Sequence, residues 1–336
     1  MKTGNFQVKK QFFLLEKPCK ASEKRLLYRN EFFRGAVFMP NRAAWRRRLK
    51  LVWKRHYAVF CFGLPWLLLF FWAWRVEPFL LVARDIPVEV AGLPEGLNGF
   101  TVAVLSDIHL NPDRAKRLDD YAAEINRRGV DLALLLGDFV NGPRQSGEPD
   151  HALLADFVRK LHTRYGVFAV LGNHDVRCEA GPVGPTLEAG GAKVLCDASE
   201  VIAAPGGRLN LIGLQYRSGD TRQDALQGRR LARRDMINIL LAHAPDSFPE
   251  QPREIALMLA GHTHGGQIRL PFYGPLLRYS RYGRRYIYGH IREADGRQLV
   301  VTGGLGAGSL NLRFNVPPEI LFLRLERAPC ETRRPR

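Results

Sequence analysis

The stretch "EIALMLAGHTHGGQIRLP", residues 254–271, sets an apolar run directly before two histidines and two glycines. A continuous apolar run of six residues, 255–260, with no polar alternation reads as a strand buried on both faces. Its end delivers His262 and His264 to one edge of a sheet. In extended backbone, residues two apart project to the same side, so the two imidazoles are expected to point together. Gly265 and Gly266 let the chain turn tightly behind them.

Four other runs repeat the design. "FTVAVL" (residues 100–105) leads to "SDIHL", and "DLALLL" (131–136) leads to "GDFVNG". "GVFAVL" (166–171) leads to "GNHD", and "INILLA" (237–242) leads to "HAPD". Helical patterns lie between several of them. Residues 114–128 place Leu118, Tyr121, Ala122 and Ile125 on one face, and residues 150–162 do the same with Leu153, Leu154, Phe157, Val158 and Leu161. Beyond Gly190 the strand-like runs come closer together: "RLNLIGL", "GQIRLP", "RYIYGHI", "QLVVTGG" and "EILFLRL". The pattern predicts an α/β fold of two packed mixed β-sheets flanked by helices.

The polar residues at these strand ends form a set: Asp107, His109, Asp138, Asn173, His174, Asp175, His243, His262 and His264. It holds five of the nine histidines of the chain, and open α/β sheets build their sites at such strand ends. Carboxylate oxygen and imidazole nitrogen suit Mn, Fe, Zn and similar divalent ions, and the set is large enough for two. No cysteine joins it, which disfavours a structural zinc site. A lone Asp-x-His is ordinarily a turn; five such blocks in one order are not.

The blocks "SDIHL", "GDFVNG", "GNHD", "LAHAPD" and "GHTHGGQ" resemble the calcineurin-like metallophosphoesterases. "LRFNVPPEI" (residues 312–320) and an apolar segment before the domain resemble the bacterial membrane-associated branch, which includes phosphodiesterases and UDP-diacylglucosamine hydrolases of lipid A synthesis. The resemblance implies that Asp107, His109 and His264 hold one ion, that Asn173, His243 and His262 hold a second, and that Asp138 bridges them. It implies a catalytic role for His174, with Asp175 orienting it, and two divalent ions, Mn foremost. Gln215 stands where relatives often place an acidic residue, which bears on substrate choice. Two divalent ions, two carboxylates and one shared hydroxide leave a net charge of about +1, which favours an anionic phosphoester.

The formal charge of +17 is unevenly spread. Residues 1–56 carry 16 Lys/Arg against 3 Asp/Glu, and the remainder carries 34 against 30. The basic excess belongs to the N-terminal arm, so a nucleic-acid partner is not expected and an anionic surface is. Residues 57–74, "YAVFCFGLPWLLLFFWAW", hold no charge over 18 positions and read as a transmembrane anchor. Arg42, Arg46, Arg47, Arg48, Lys50, Lys54 and Arg55 crowd its upstream flank, which by charge bias puts the N-terminus in the cytoplasm and the domain on the far side of what the resemblance implies is a bacterial inner membrane. An interfacial helix would instead leave the domain on the cytoplasmic side. The expected organisation is a basic disordered arm (1–56), the anchor (57–74), a linker (75–99), the catalytic domain (100–327) and a disordered tail (328–336). Five cysteines without CxxC spacing, Cys19, Cys61, Cys178, Cys196 and Cys330, form no disulfide framework, although a Cys178–Cys196 bridge is conceivable.

The functional expectation is a membrane-anchored, dinuclear-metal phosphoesterase acting on a phosphodiester or pyrophosphate, with a lipid-linked substrate such as UDP-diacylglucosamine attractive. Three alternatives stand beside it. One is a general phosphodiesterase or phosphatase of the cell envelope. One is a non-enzymatic membrane binding protein with a relict metal site, which predicts missing ligands where none is missing. The third, a metallo-β-lactamase-like hydrolase, requires His-x-His-x-Asp-His, whereas Gly265, Gly266 and Gln267 follow His264 here. The basic, aromatic segment 278–290, "RYSRYGRRYIYGH", reads either as a contact for phosphate groups or as a solvated hairpin.

Overall fold

The computed structural model describes residues 42–141, 151–177, 183–308 and 310–329. Cys19, Cys178 and Cys330 lie outside them, as do residues 1–41 of the expected arm and most of the expected tail. The conceivable Cys178–Cys196 bridge therefore also falls outside the described residues. Met1–Ala58 and Val59–Arg336 form separate units.

Helix α1 (Arg42–Phe71) opens the described chain. Its residues 42–56 are helical, which corrects the expectation of an arm reaching to residue 56. The stretch holds neither Gly nor Pro, and its Ala, Arg, Leu and Lys residues are good helix formers. The helix is long and apolar enough to cross a membrane, and Phe60, Phe62, Trp66 and Leu67 are exposed instead of filling a protein core. Pro65 lies inside it.

The expected linker at 75–99 is instead built into the domain. Strand β1 (Val82–Val90) occupies its middle and pairs in parallel with the last strand of the chain. Pro87 and the charged Arg84, Asp85 and Glu89 hide this strand from a reading of apolar runs. They are tolerated because β1 is at a sheet edge, where a missing N–H and an exposed face cost little.

There follow β2 (Thr101–Leu105), α2 (Pro112–Ala115), α3 (Leu118–Arg128), β3 (Leu132–Leu135), α4 (His151–Arg159), β4 (Val167–Ala169) and α5 (Asn173–Arg177). After these come α6 (Val183–Ala189), β5 (Ala192–Val194), β6 (Ala198–Ala204), β7 (Gly207–Gly213), α7 (Thr221–Leu231) and β8 (Ile237–Leu241). The chain ends with β9 (Ile255–Ala260), β10 (Arg269–Leu270), β11 (Gly274–Pro275), β12 (Gly289–Arg292), β13 (Gln298–Val301) and β14 (Glu319–Arg327). The helix expected over 114–128 is split, with Asn111 capping the short α2 through the N–H groups of Asp113 and Arg114.

Two six-stranded mixed sheets result, ordered β1-β14-β2-β3-β4-β5 and β12-β13-β9-β8-β7-β6. In each, the central strands are parallel, and antiparallel pairing occurs nearer the edges. Alternate residues explain the layers. Leu132 and Leu134 of β3 meet Ile239, Leu241, Leu257 and Leu259 of the other sheet in a shared core. Ala133 and Leu135 face outward onto Tyr121 and Ile125 of α3 and Leu154 and Phe157 of α4. On the far side, Leu240 and Met258 pack with Phe248 and Tyr286. The apolar runs are continuous because both faces of these strands are covered.

The segment that follows β1 docks as closely as the strand does. A Cβ on Gly96 would lie 2.4 Å from the Cα of Gly206 in the β6–β7 turn. Gly96→Ala is therefore expected to destabilise the domain by about 1–3 kcal/mol. Thermal or denaturant unfolding checks this, and an unchanged stability would mean that the segment is a loose linker after all.

Candidate metal centre

Parallel pairing aligns the C-terminal ends of β2, β3 and β4 in one sheet and of β8 and β9 in the other. The loops after them meet at one place. Asp107 and His109 follow β2, Asp138 follows β3, Asn173 to Asp175 follow β4, His243 follows β8, and His262 and His264 follow β9. All nine residues of the expected set come together there.

Two donor groups share one oxygen. Around the first, His109 Nε2 and His264 Nε2 lie 3.2 Å apart. Asp107 Oδ1 is 4.0 Å from the former and 3.5 Å from the latter. Around the second, His243 Nε2 lies 3.2 Å from His262 Nδ1 and 3.1 Å from Asn173 Oδ1. Asp138 Oδ2 is 3.7 Å from His109 Nε2 and 3.3 Å from His243 Nε2, so one carboxylate oxygen faces both groups.

The donor chemistry fits a pair of cations. Asp107 Oδ1 is buried without a hydrogen-bond partner, an expensive arrangement unless something positive takes its lone pairs. The second ring nitrogens of two histidines are tied to carbonyls, His243 Nδ1 to Leu136 O at 2.7 Å and His264 Nδ1 to Gly306 O at 3.2 Å. Each Nδ1–H donates, which leaves Nε2 as a lone-pair donor aimed into the site.

The backbone is not extended at these positions, contrary to the expectation for His-x-His and Asp-x-His. Nine non-glycine residues among those described have positive φ, and five of them are Asp107, His109, Asp138, His262 and His264. Left-handed backbone costs a non-glycine residue roughly 1 kcal/mol or more, so strain is concentrated at this site. The grouping is the one the resemblance implies: Asp107 and His109 point together, His264 joins them, and His262 joins the second group. Small residues make the crowding possible. A Cβ on Gly172 would come within 2.2 Å of Asp138 Oδ1, and one on Gly261 within 2.5 Å of Asp107 Oδ2.

Asp175 does not need His174 to account for its carboxylate. Oδ2 accepts from the N–H of Asp138 at 2.7 Å and of Gly172 at 2.8 Å, and Oδ1 accepts from the N–H of Phe139 at 2.9 Å. It thereby holds the Asp138 loop and so positions the shared oxygen. Burial, with the nearby Asp138 charge, pushes it up to about 7, against the pull of these N–H groups. His174 is half-buried; its N–H donates to Asp138 Oδ1 at 2.8 Å and its ring stands edge-on to His109 at 4.9 Å. Gln215 is exposed, and Tyr216 beside it reaches the site, 5.7 Å from His243 and 6.1 Å from His262 between ring centroids.

Arg313 is a contributor that the motif reading passed over. Fully buried, it donates to the carbonyls of Gly303 at 2.7 Å, Gly304 at 3.1 Å, Val316 at 2.9 Å and Gly306 at 3.1 Å. Gly306 is the residue whose carbonyl orients His264 and whose N–H donates to Asp107 O. The guanidinium thus ties the loop after β13 against the first donor group. Burial, then Arg114, lowers it to about 10, so it stays charged at neutral pH. "LRFNVPPEI" contained this residue, but no spacing in the sequence says that four carbonyls would gather around it.

A family model for calcineurin-like phosphoesterases matches residues 100–266. The metallophosphoesterase YkuE of Bacillus subtilis is 30% identical over 256 residues, 75% of this chain and 87% of that relative. The phosphodiesterase YaeI of Escherichia coli is 31% identical over 234 residues, 67% of this chain and 82% of that relative. A transmembrane protein with a metallophosphoesterase domain from Danio rerio is 26% identical over 270 residues, 75% of this chain and 58% of that protein.

Protonation sets a pH dependence for metal loading. Burial works against a charged His243, but the Asp138 carboxylate outweighs it and raises this imidazole to about 9. Burial, with the nearby Asp138 charge, raises Asp107 to about 6. Burial also lowers His109 to about 4 and His262 to about 3, so these are already neutral donors. A cation must therefore displace one proton from His243 between pH about 6 and 9, and a second from Asp107 below that range. Apparent metal affinity is expected to rise about tenfold per pH unit across the upper range, to level off above it and to fall more steeply below it. Competition titration against a chelating dye over pH measures this; a flat profile would overturn the charge assignment.

Proposed function

The chain belongs to the calcineurin-like metallophosphoesterase family and is a metal-dependent phosphoester hydrolase; from that premise we propose a membrane-anchored phosphodiesterase or pyrophosphatase with a dinuclear centre. The observation that carries the reading is Asp138 Oδ2, one buried oxygen facing both donor groups. Asp107, His109 and His264 would hold one ion, and Asn173, His243 and His262 the other, with Asp138 between them. Divalent ions there, Mn foremost by the family resemblance and Fe or Zn equally suited to the donor set, would supply Lewis acidity toward phosphoryl oxygens and a deprotonated water at neutral pH.

The residues do the rest. Asn173 gives a neutral oxygen where an aspartate would cancel positive charge, so the site keeps its attraction for an anionic phosphoester. His174 stands at the half-open side, held by its N–H on Asp138 Oδ1, and acts on the leaving oxygen as proton donor or as stabiliser of developing charge. Asp175 and Arg313 keep the Asp138 and Gly306 loops in place and touch no substrate.

The apolar helix supports an anchor, and the Danio rerio relative is named as a transmembrane protein. The charge bias places the N-terminus in the cytoplasm and the domain across a bacterial inner membrane. A lipid-linked substrate such as UDP-diacylglucosamine suits an enzyme confined to the bilayer. A second reading, a general phosphodiesterase of the envelope, is favoured by the Escherichia coli relative, which is named a phosphodiesterase, and by the charge bias, since that bias removes the domain from the cytoplasmic face.

His174→Ala is expected to keep its metal content while turnover of a chromogenic phosphodiester falls roughly 100-fold or more. Loss of metal in this variant would instead make His174 a ligand. Incubation of the purified protein and Mn with UDP-diacylglucosamine, a phospholipid and a simple diester separates the substrate readings. Release of UMP selects the lipid A reading, and cleavage of the simple diester alone rejects it.

A further inference from the structure

Residues 269–285, "RLPFYGPLLRYSRYGRR", were not absorbed by the metal centre. Strands β10 and β11 form a two-stranded hairpin whose tip is Pro271, Phe272 and Tyr273. Phe272 is wholly exposed and has φ of 62°. Both choices are unfavourable for a water-facing turn. The left-handed region suits Gly or Asn at such a tip, and a benzyl group in water gains nothing. Leu276, Tyr279 and Leu310 are also exposed. The same segment holds five arginines and no acidic residue. Arg285 pairs with Glu293, whereas exposed Arg278 and Arg284 have no acidic partner among the described residues.

Two sets of contacts give this apolar, basic patch its meaning. First, it sits on the metal loop. A Cβ on Gly266 would lie 2.3 Å from the Cβ of Pro275, and the Tyr279 ring is 6.5 Å from that of His262. Second, it is linked to the exit of the apolar helix. Arg313 N–H donates to Ala73 O at 2.8 Å, and Val316 N–H to Glu77 Oε1 at 2.6 Å. Between them Phe314 pairs with the hairpin base, donating to Gln267 O at 3.0 Å and accepting from Arg269 N at 2.9 Å. One short segment, 313–316, therefore joins the point where the chain leaves its apolar helix to the root of the hairpin.

We propose that the 269–285 hairpin is a second membrane contact: its Phe272 tip enters the headgroup layer of an anionic bilayer and sets the metal site against that surface. Arginine beside exposed aromatic and aliphatic side chains is the composition that binds such an interface. A protein partner would be expected to meet the patch without needing the tie to the helix exit. The substrate class that follows is a phosphoester in the headgroup of an amphiphile. That consequence rests on the phosphoesterase reading; the contact itself does not.

The test uses the full chain with its five cysteines replaced by serine and Phe272→Cys carrying a fluorophore, reconstituted in phosphatidylcholine–phosphatidylglycerol vesicles. Bromine on the lipid acyl chains is expected to quench the label. An unquenched label, whether open to aqueous iodide or shielded from it by protein, overturns the proposal. Phe272→Asn provides the kinetic arm, since Asn suits the left-handed tip and leaves the fold intact. Its hydrolysis of a vesicle-borne phosphodiester should fall roughly tenfold while that of a soluble diester is unchanged. Equal effects on both substrates would overturn the link between contact and substrate. If the unaltered protein cleaves neither, the phosphoesterase reading fails, and the quenching result still decides the contact.

Discussion

The structure depends on one buried carboxylate oxygen. Asp138 Oδ2 faces two clusters of imidazole nitrogen and amide or carboxylate oxygen, delivered by two different sheets. Such a concentration of lone pairs is repulsive by itself. It persists because the two sheets share a large apolar core and because main-chain groups clamp each donor. The N–H groups that Asp175 gathers hold the Asp138 loop, Leu136 O fixes His243, and Gly306 O fixes His264. The left-handed backbone at five donor positions shows the same balance, with local strain held by the packing behind it.

Electrostatics turn this geometry into an anion-seeking site. Among the imidazole donors for which a direction is clear, His243 alone is raised, and Asp138 raises it; burial leaves His109, His262 and His264 neutral. The centre is therefore nearly ready for divalent cations, and one proton on His243 is the main competitor near neutral pH. Arg313 adds a fixed positive charge behind the first cluster while serving the loop through its carbonyls.

The same segment that carries Arg313 links three things that are far apart in sequence: the exit of the apolar helix, the root of the exposed hairpin and the loop against the first donor group. On the proposed reading of a bilayer-fixed enzyme, this segment would tie the anchor to the mouth of the site.

How much was legible beforehand follows from the kind of signal each element leaves. Strands buried on both faces must be continuously apolar, so β2, β3, β4, β8 and β9 and their polar ends stood out, and with them the α/β class and the nine polar residues that gather there. Strand β1 did not, because an edge strand may carry Pro87 and charge where a central strand may not. The sequence by itself determined which residue types reach the strand ends, and therefore that oxygen and nitrogen donors would gather there. Tertiary structure decided how each donor is presented: His262 and His264 reach their separate groups through left-handed, not extended, backbone, and Asp175 serves the Asp138 loop. It also decided that Arg313 would meet four carbonyls. Such pairings are set by the packing of two sheets against each other, and no spacing along one chain encodes the direction in which a strained loop turns.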